Sequence, residues 1–335
     1  MQIGDVNLGK TPLFLAPMED VTDLSFRFIC KHYGADMMYT EFVSSDGLIR
    51  DAKKTLKKLE IKDEERPVGV QIYGHLTDVM VQAARIAEQA RPDVIDINFG
   101  CPVRKIAARG AGAGILCNVP LMVEMTRAVV DAVQLPVTVK TRLGWDEQSK
   151  NIVEIAERLQ DAGIAAITIH GRTRAQLYKG EADWTLIGEV KNNPRMHIPV
   201  VGNGDIASVE MAAEMFNRYG VDGIMIGRAT YGRPWIFAEI KHYLRTGEPM
   251  PPLNVSQKVA LAKMHLAKSV EYKGIPVGIL EMRRHLSHYF KCLPDFKPTR
   301  MTLVTSLDMD ELMQTLDDIE TRYANFSSPD LWQIS

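Results

Sequence analysis

The chain is predicted to be an α/β protein, a closed (β/α)8 TIM-type barrel with a C-terminal all-helical domain. Three observations predict it. Eight short apolar runs recur along the first two thirds of the 335 residues, segments of helical period lie between them, and no strand-like run follows GIMIGR. Eight β/α units fit a closed barrel of roughly 250 residues better than an open sheet.

In order, the strands are LFLAPM, MMYTEF, PVGVQIYG, VIDINFG, PVTVKTRLG, AITIHG, IPVVGNG and GIMIGR. Each is rich in β-branched or aromatic residues and bounded by Gly, Pro or Asp. DVMVQAARIAEQA, VEMTRAVVDAVQ, NIVEIAERLQDAG and VEMAAEMFNRYG space apolar residues at helical intervals between them. TGEPMPPLN, with its three prolines, reads as a linker. SQKVALAKMHLAKSVEYKG, GILEMRRHLSHYFKCL and DMDELMQTLDDIETRYANF then read as three helices. Residues 1–245 are therefore assigned to the barrel and 246–335 to the helical domain.

Composition narrows the function classes. A hydrophobic content of 46% and a charged content of 24% are those of a soluble globular protein. With no run of about 18 apolar residues and no apolar core at MQIGDVNLGK, neither a membrane span nor a signal peptide is expected, and a cytoplasmic location is. Cys30, Cys101, Cys117 and Cys292 form no C-x-x-C pair, so neither a metal site nor a disulfide is expected. Cys30 and Cys117 read as small buried hydrophobes. A monomer is expected.

The net charge of −2 hides a sorting along the chain. Residues 258 to 300 carry Lys258, Lys263, Lys268, Lys273, Arg283, Arg284, Lys291, Lys297 and Arg300 against Glu271, Glu281 and Asp295, a local +6. Residues 301 to 335 carry Arg322 against Asp308, Asp310, Glu311, Asp317, Asp318, Glu320 and Asp330, a local −6. The basic stretch, with Arg284, His288 and Lys291 at helical spacing, suits a nucleic-acid backbone. The acidic stretch suits either closure against the basic helices or exclusion of nucleic acid from the wrong face.

Barrel chemistry sits at the C-terminal ends of the strands, so polar residues there are informative. In DVIDINFGCPVRK, Ile95, Ile97 and Phe99 share one face and Asp96, Asn98 and Gly100 the other, with Cys101 just beyond. Strand three contributes Gln71, strand five Lys140 and Arg142, and strand six His170 and Arg172. Without carboxylates in their own strands, such cations are costly to bury unless an anion or a polar ligand meets them.

Strands seven and eight end in GNGD (Gly202 to Asp205) and in Gly227–Arg228, which suit a phosphate. One phosphate plus a large polar ligand contacted from several strands describes flavin mononucleotide, FMN, with Lys140 stabilising negative charge on its reduced ring. RGAGAG (Gly110 to Gly114) lacks dinucleotide-fold spacing and reads as a flexible or tightly turned loop.

APMEDVTD, VQIYG, DINFGCPVRK, VKTRLGW, TIHGRTR, VGNGDI and MIGRATYGRPWIF, in this order, resemble the bacterial tRNA-dihydrouridine synthases, most closely the B-type branch. The resemblance spans residues 3 to about 245 and continues more weakly through RRHLSHYFK. It implies FMN contacts at Pro17, Met18, Glu19, Gln71, Lys140, His170, Asn203, Gly204, Asp205, Gly227 and Arg228. It implies Cys101 as the catalytic acid and Asn98 and Arg142 near a uracil. Glu19 stands where relatives often carry Ala or Gly, so a backbone contact is expected there. His288 stands at a usual aromatic position.

The implied reaction is reduction of a tRNA uridine, in the D-loop, to 5,6-dihydrouridine. FMN is reduced by NADPH or NADH and passes hydride to C6, and Cys101 protonates C5. Lys105, four residues on, would lower the thiol pKa if it came close, so it is expected to face RNA phosphate, and Arg172 is taken as a substrate contact. A stacked base must be flipped out to reach the barrel, so a second surface must hold the RNA. Two other readings stay open. A free-pyrimidine flavoenzyme shares the barrel and the cysteine strand but has no use for a basic appendage, and a non-catalytic tRNA-binding factor has no use for Cys101, Lys140 and His170.

Overall fold

A computed structural model describes residues 1–50, 53–291 and 293–326; Cys292 and Asp330 lie outside the described residues. A hairpin of β1 (Gln2–Ile3) and β2 (Val6–Asn7) precedes β3 (Leu13–Leu15), α1 (Leu24–His32), β4 (Met37–Tyr39), the short β5 (Val43–Ser44), α2 (Ser45–Ile49) and α3 (Lys53–Lys57). There follow β6 (Val68–Tyr73), α4 (Thr77–Gln89), β7 (Val94–Phe99), α5 (Arg104–Ala107), α6 (Val119–Val130), β8 (Val137–Arg142) and α7 (Ile152–Asp161). The barrel ends with β9 (Ala166–His170), α8 (Thr185–Asn192), β10 (Val200–Asn203), α9 (Val209–Tyr219), β11 (Gly223–Ile226) and α10 (Ile236–Thr246).

All eight predicted strands are present and parallel, and pairing of β11 with β3 and of β4 with β6 closes them into a barrel. β3 is half the predicted length because the chain turns at Ala16–Met18 to enter the mouth, after Ala16 N–H has bonded Ile226 carbonyl at 2.9 Å. Ends of the helices carry the caps their sequences promise. Ser208 accepts from Met211 N–H and Gly220 takes the left-handed conformation at the two ends of α9.

Alternation along the strands builds two layers. Ile95, Ile97 and Phe99 face outward into the main core under the helices. Inside the barrel, Ile3 and Leu8 from the N-terminal segment join Phe14, Met37, Tyr39, Val94, Ala166, Val201 and Met225 in a separate apolar plug at the lower end. Above that plug the interior turns polar, with Gln71, Asp96 and Thr138 buried.

The helical domain holds α11 (Val255–Lys273), α12 (Ile275–Tyr289), α13 (Lys297–Thr305) and α14 (Met309–Arg322), one helix more than the sequence predicted. Five of the nine residues in KPTRMTLVT are Pro, Thr or Val, poor helix formers, and full burial of Leu303 against its neighbours supports α13. Leu266, Leu286, Leu312 and Leu316 share that core with Ile29 and Trp235 from the barrel side, which docks the domain onto α1. Each such fully buried leucine contributes about 1.5–3 kcal/mol. No helix among the described residues is long and apolar enough to cross a membrane.

Of the two readings of RGAGAG the structure has the tightly turned one: residues 112–117 form a short 3-10 helix packed under the cysteine loop, where a Cβ on Gly114 would stand 2.2 Å from Ala107 carbonyl. Cys117, read as buried, stands exposed at the end of that turn, while Cys30 is buried as expected.

Candidate active site

At the C-terminal end of the barrel, strand register brings the sequence-predicted residues together. Asn98 pairs with Lys140, Lys140 with Thr168, and His170 with both Arg142 and Asn203. Asn98 Oδ1 accepts the backbone N–H of Gly100 at 3.0 Å and of Cys101 at 2.8 Å, so the end of β7 curls around its own side chain and presents the thiol. Burial pushes the Cys101 thiol above its ordinary pKa, against smaller downward pulls from a backbone hydrogen bond at Val103 and from Arg142. The thiol is therefore protonated at neutral pH. Lys105 stands exposed on α5 and is not among these influences.

Lys140 is half-buried and makes no hydrogen bond or ion pair among the described residues. Burial and then Arg142 bring its pKa down to about 8, and Asp96 and Cys101 pull the other way. His170 is held neutral, pushed well down by burial and by Lys140, Arg142, Arg172 and Arg228. Its Nε2 accordingly faces Arg172 Nη1 at 3.3 Å as an acceptor. Four cations thus crowd one neutral imidazole.

The partners of the arginines separate their roles. Arg142 donates to the carbonyls of Gly100 at 2.7 Å, Thr173 at 3.0 Å and Leu177 at 2.9 Å, stitching the cysteine loop to the loop after β9. Arg172 is buried and ion-pairs Asp205 at 2.6 Å, across from the carbonyls of Lys179 and Gly180. Both were read as substrate contacts; the fold ties both into the walls of the mouth. Arg228 reaches Asp205 at 2.9 Å while remaining half exposed.

Asp205 also accepts Ala182 N–H at 2.8 Å, and its carboxyl is held below the ordinary carboxylate range despite burial, chiefly by the Arg172 hydrogen bond. With its carboxylate occupied, Asp205 has only backbone to give a ligand. The turn before it needs its glycines. Gly204 has φ +132°, and a Cβ on Gly202 would stand 2.0 Å from the Trp184 ring. Asn203 Nδ2 donates to Met225 carbonyl at 2.8 Å and joins the ends of β10 and β11. Gly227 follows directly.

Pro17 and Met18 are half-buried at the end of β3, and Thr22 Oγ1 fixes Met18 N–H at 3.0 Å. Glu19 turns its side chain outward to Lys58 at 2.5 Å, which fits a backbone contact alone. Glu19, Asp20 and Glu41 form an acidic cluster beside Lys58. Tyr178, which the sequence reading missed, is 55% exposed at the mouth, with the Arg228 guanidinium 4.9 Å and that of Arg142 5.6 Å from its ring centre. Its eight-residue distance from His170, in a loop with no periodicity, left no signal beyond an aromatic near a strand end.

The helical domain departs most from the sequence reading. Lys263 pairs with Asp317 of α14, Lys268 with Glu64 at 3.6 Å and Glu271 at 3.2 Å, and Lys273 with Asp23 and with Glu281 at 2.6 Å. Lys258 is buried beside Trp235, and Arg283 donates to Thr305 carbonyl at 2.8 Å. Arg284 crosses to the barrel and donates to the Asp20 carbonyl. His288 packs at Tyr231 and Gly232, with its Nδ1 2.6 Å from Arg284 carbonyl. Of the three residues placed on one basic face, Lys291 alone is exposed, while Arg284 and His288 are half-buried. The local +6 is therefore largely spent on internal contacts, and Lys291, Lys297 and Arg300 carry what remains at the surface.

The mouth suits an anionic, polar ligand. Its donor set is an unpaired ammonium, a half-exposed guanidinium and backbone amides at two glycine turns, with one carboxylate shared by two arginines. A protonated thiol stands at one side.

A family model described as dihydrouridine synthase matches residues 14–324. The tRNA-dihydrouridine synthase B of Pseudomonas putida is 42% identical over 301 residues, covering 90% of this chain and 88% of that protein. Its namesake in Shewanella oneidensis is 42% identical over 289 residues, covering 86% and 89%. A probable tRNA-dihydrouridine synthase of Rickettsia conorii is 38% identical over 296 residues, covering 88% of each. Among solved structures, a 2-naphthoyl-CoA reductase complex superposes with TM-score 0.56 at 11% identity, covering 74% of this chain and 52% of that one. The 6-hydroxypseudooxynicotine amine oxidase of Pseudomonas geniculata gives TM-score 0.55 at 14% identity, covering 78% and 52%. This chain thus spans about half the length of those two structures, and the likeness is one of fold.

Proposed function

Because this chain belongs to the dihydrouridine synthase family of oxidoreductases, we propose that it reduces the 5,6 double bond of a uridine in folded tRNA, with FMN as bound cofactor, NADPH or NADH as reductant and Cys101 as proton donor. The observation that carries this reading is a protonated thiol beside a cationic mouth whose ammonium, Lys140, makes no ion pair or hydrogen bond among the described residues. Bound FMN supplies hydride chemistry, taken from a reduced nicotinamide and delivered to C6 of the base.

The residues that would hold that group divide by chemistry. Arg228 and the backbone at Asn203, Gly204, Asp205 and Gly227 suit its phosphate, and Lys140, His170, Gln71 and the Pro17–Glu19 backbone suit its ring system. Lys140, with its pKa drawn down to about 8, still carries charge at neutral pH and offers it where negative charge develops. Neutral His170 acts as a hydrogen-bonding group and adds no charge.

Cys101 Sγ gives its proton to C5, and its raised pKa keeps that proton in place until the carbanion demands it. Asn98, anchored at Oδ1 by the Cys101 loop, holds the thiol in position. Arg142 and Arg172 build the walls, and Tyr178 offers an exposed aromatic face to a flipped base. Residues 1–245 serve catalysis, and residues 246–335 hold the tRNA, through Lys291 and with Lys105 on the barrel rim, while a D-loop uridine enters.

The test is Cys101→Ala. The variant is expected to keep its flavin and to accept hydride from NADPH, and to lose about 10²- to 10⁴-fold in dihydrouridine formation. Uridine reduction near the wild-type rate would place the acid elsewhere. Free uracil or orotate reduced as well as tRNA would favour the free-pyrimidine reading.

A further inference from the structure

We propose that Asp96, a buried carboxylate with no part in the roles assigned above, is a positioning residue: it sets the donor–acceptor polarity of the Gln71–Asn98 side-chain chain and, through it, the placement of the Cys101 loop. The inference rests on the reading of Cys101 as proton donor.

A barrel interior filled with Leu and Val would be cheaper than one holding a carboxylate. Asp96 is 1% exposed and makes no ion pair among the described residues. Burial pushes its pKa up to about 6, with Thr138, Gln71 and Lys140 pulling the other way. What it has are two donors. Thr138 Oγ1 donates to Oδ1 at 2.5 Å, and Gln71 Nε2 donates to Oδ2 at 2.6 Å.

From there the bonds run in one direction. Asn98 Nδ2 donates to Gln71 Oε1 at 2.8 Å, and Asn98 Oδ1 receives the N–H groups of Gly100 and Cys101. A primary amide has a donor end and an acceptor end, so turning one over makes like face like and forces the next to turn. Two amides in series can be ordered only by groups at the ends that cannot reverse. The backbone N–H groups at Gly100 and Cys101 are donors only, and an ionised Asp96 is an acceptor only. Both ends dictate the same polarity; without Asp96 the buried Gln71 Nε2 has no acceptor, a cost that is relieved only if Gln71 turns or shifts and takes Asn98 with it.

Protonation of Asp96 leaves that polarity in place. A proton on Oδ1 is received by Thr138, whose hydroxyl both donates and accepts, and Oδ2 still accepts from Gln71. The group therefore acts by being an acceptor toward Gln71, and its charge is secondary. Asp96→Asn keeps an acceptor there by turning its amide nitrogen to Thr138. Asp96→Leu, of similar size, removes it.

The experiment measures three quantities on the full chain: dihydrouridine formation, flavin content, and the rate at which iodoacetamide alkylates Cys101. The last needs no turnover. Asp96→Asn is expected to stay within about threefold of wild type, the scale of one neutral hydrogen bond. Asp96→Leu is expected to lose about 100-fold in dihydrouridine formation, the scale of a misplaced group, and to alkylate several-fold faster. If the two variants behave alike, whether both as wild type or both impaired, the inference fails.

Should Asp96→Leu not fold, Gln71→Glu sets two acceptors face to face, and adding Asp96→Asn to it restores a donor opposite an acceptor. Alkylation that returns to the wild-type rate in the double variant supports the inference, and alkylation that stays as in Gln71→Glu overturns it. An active Cys101→Ala would overturn the role of the thiol without touching the alkylation result, so the two failures are distinguishable.

Discussion

Acidification from pH 7 to pH 5 should loosen the joint between α1 and the helical domain, and His285 sets by how much. Its ring is buried, stacked on Phe26 at 4.7 Å and 4.6 Å from the His265 ring, and its Nδ1 has no hydrogen-bond partner. Burial brings its pKa down to about 4; Asp23 pulls it up, and Arg284, Lys273 and His288 push it further down. In the unfolded chain the group titrates near 6.5. The unfolded state therefore binds more protons than the folded state between those two values, and stability is lost as pH falls through that window. For these two pKa values the linkage relation gives about 2 kcal/mol lost between pH 7 and pH 5.

His285→Phe keeps the stack on Phe26 and removes the proton. Urea unfolding of the full chain and of this variant, each at pH 7 and pH 5, isolates the contribution. His265, also pushed well down by burial and by His285, and the carboxylates titrate in both proteins, so the difference between them reads His285 together with its coupling to His265 and Asp23. Wild type is expected to lose about 2 kcal/mol more than the variant on acidification. Equal losses would refute the reasoning, because a histidine kept neutral by burial must cost stability when the solvent offers it a proton.

Two other outcomes follow from the site and its surroundings. Arg228→Ala should weaken flavin binding by about tenfold or more, the scale of one charge-assisted contact, measured as flavin lost on dialysis, and full retention would remove Arg228 from the phosphate site. Lys291→Glu should weaken tRNA binding and lower the salt slope by about 0.9, with flavin content unchanged, whereas Arg284→Glu should also disturb flavin content, because its guanidinium holds the Asp20 carbonyl at the mouth; identical effects of the two would return both to one basic face.

The barrel, its eight strands and the polar ends of those strands were legible in the residues, because a period of two assigns each side chain to a face whatever else the chain does. Asn98, Lys140 and His170 converge for that reason, with Cys101 just beyond its strand, and the turn at Gly204 follows from a local backbone need, its φ of +132°. What only the tertiary structure decided is which charges remain to do chemistry. Arg172 meets Asp205 from 33 residues away, Lys273 meets Asp23 from 250, and Arg284 meets the Asp20 carbonyl from 264. A count of lysines and arginines along a helix contains none of these pairings, so it assigned to RNA a positive surface that the fold mostly neutralises. Helix α13 and the histidine pair at the domain joint were hidden in the same way: each exists because of burial against residues far off in the chain, and burial depends on how the whole chain packs rather than on the pattern of any one segment.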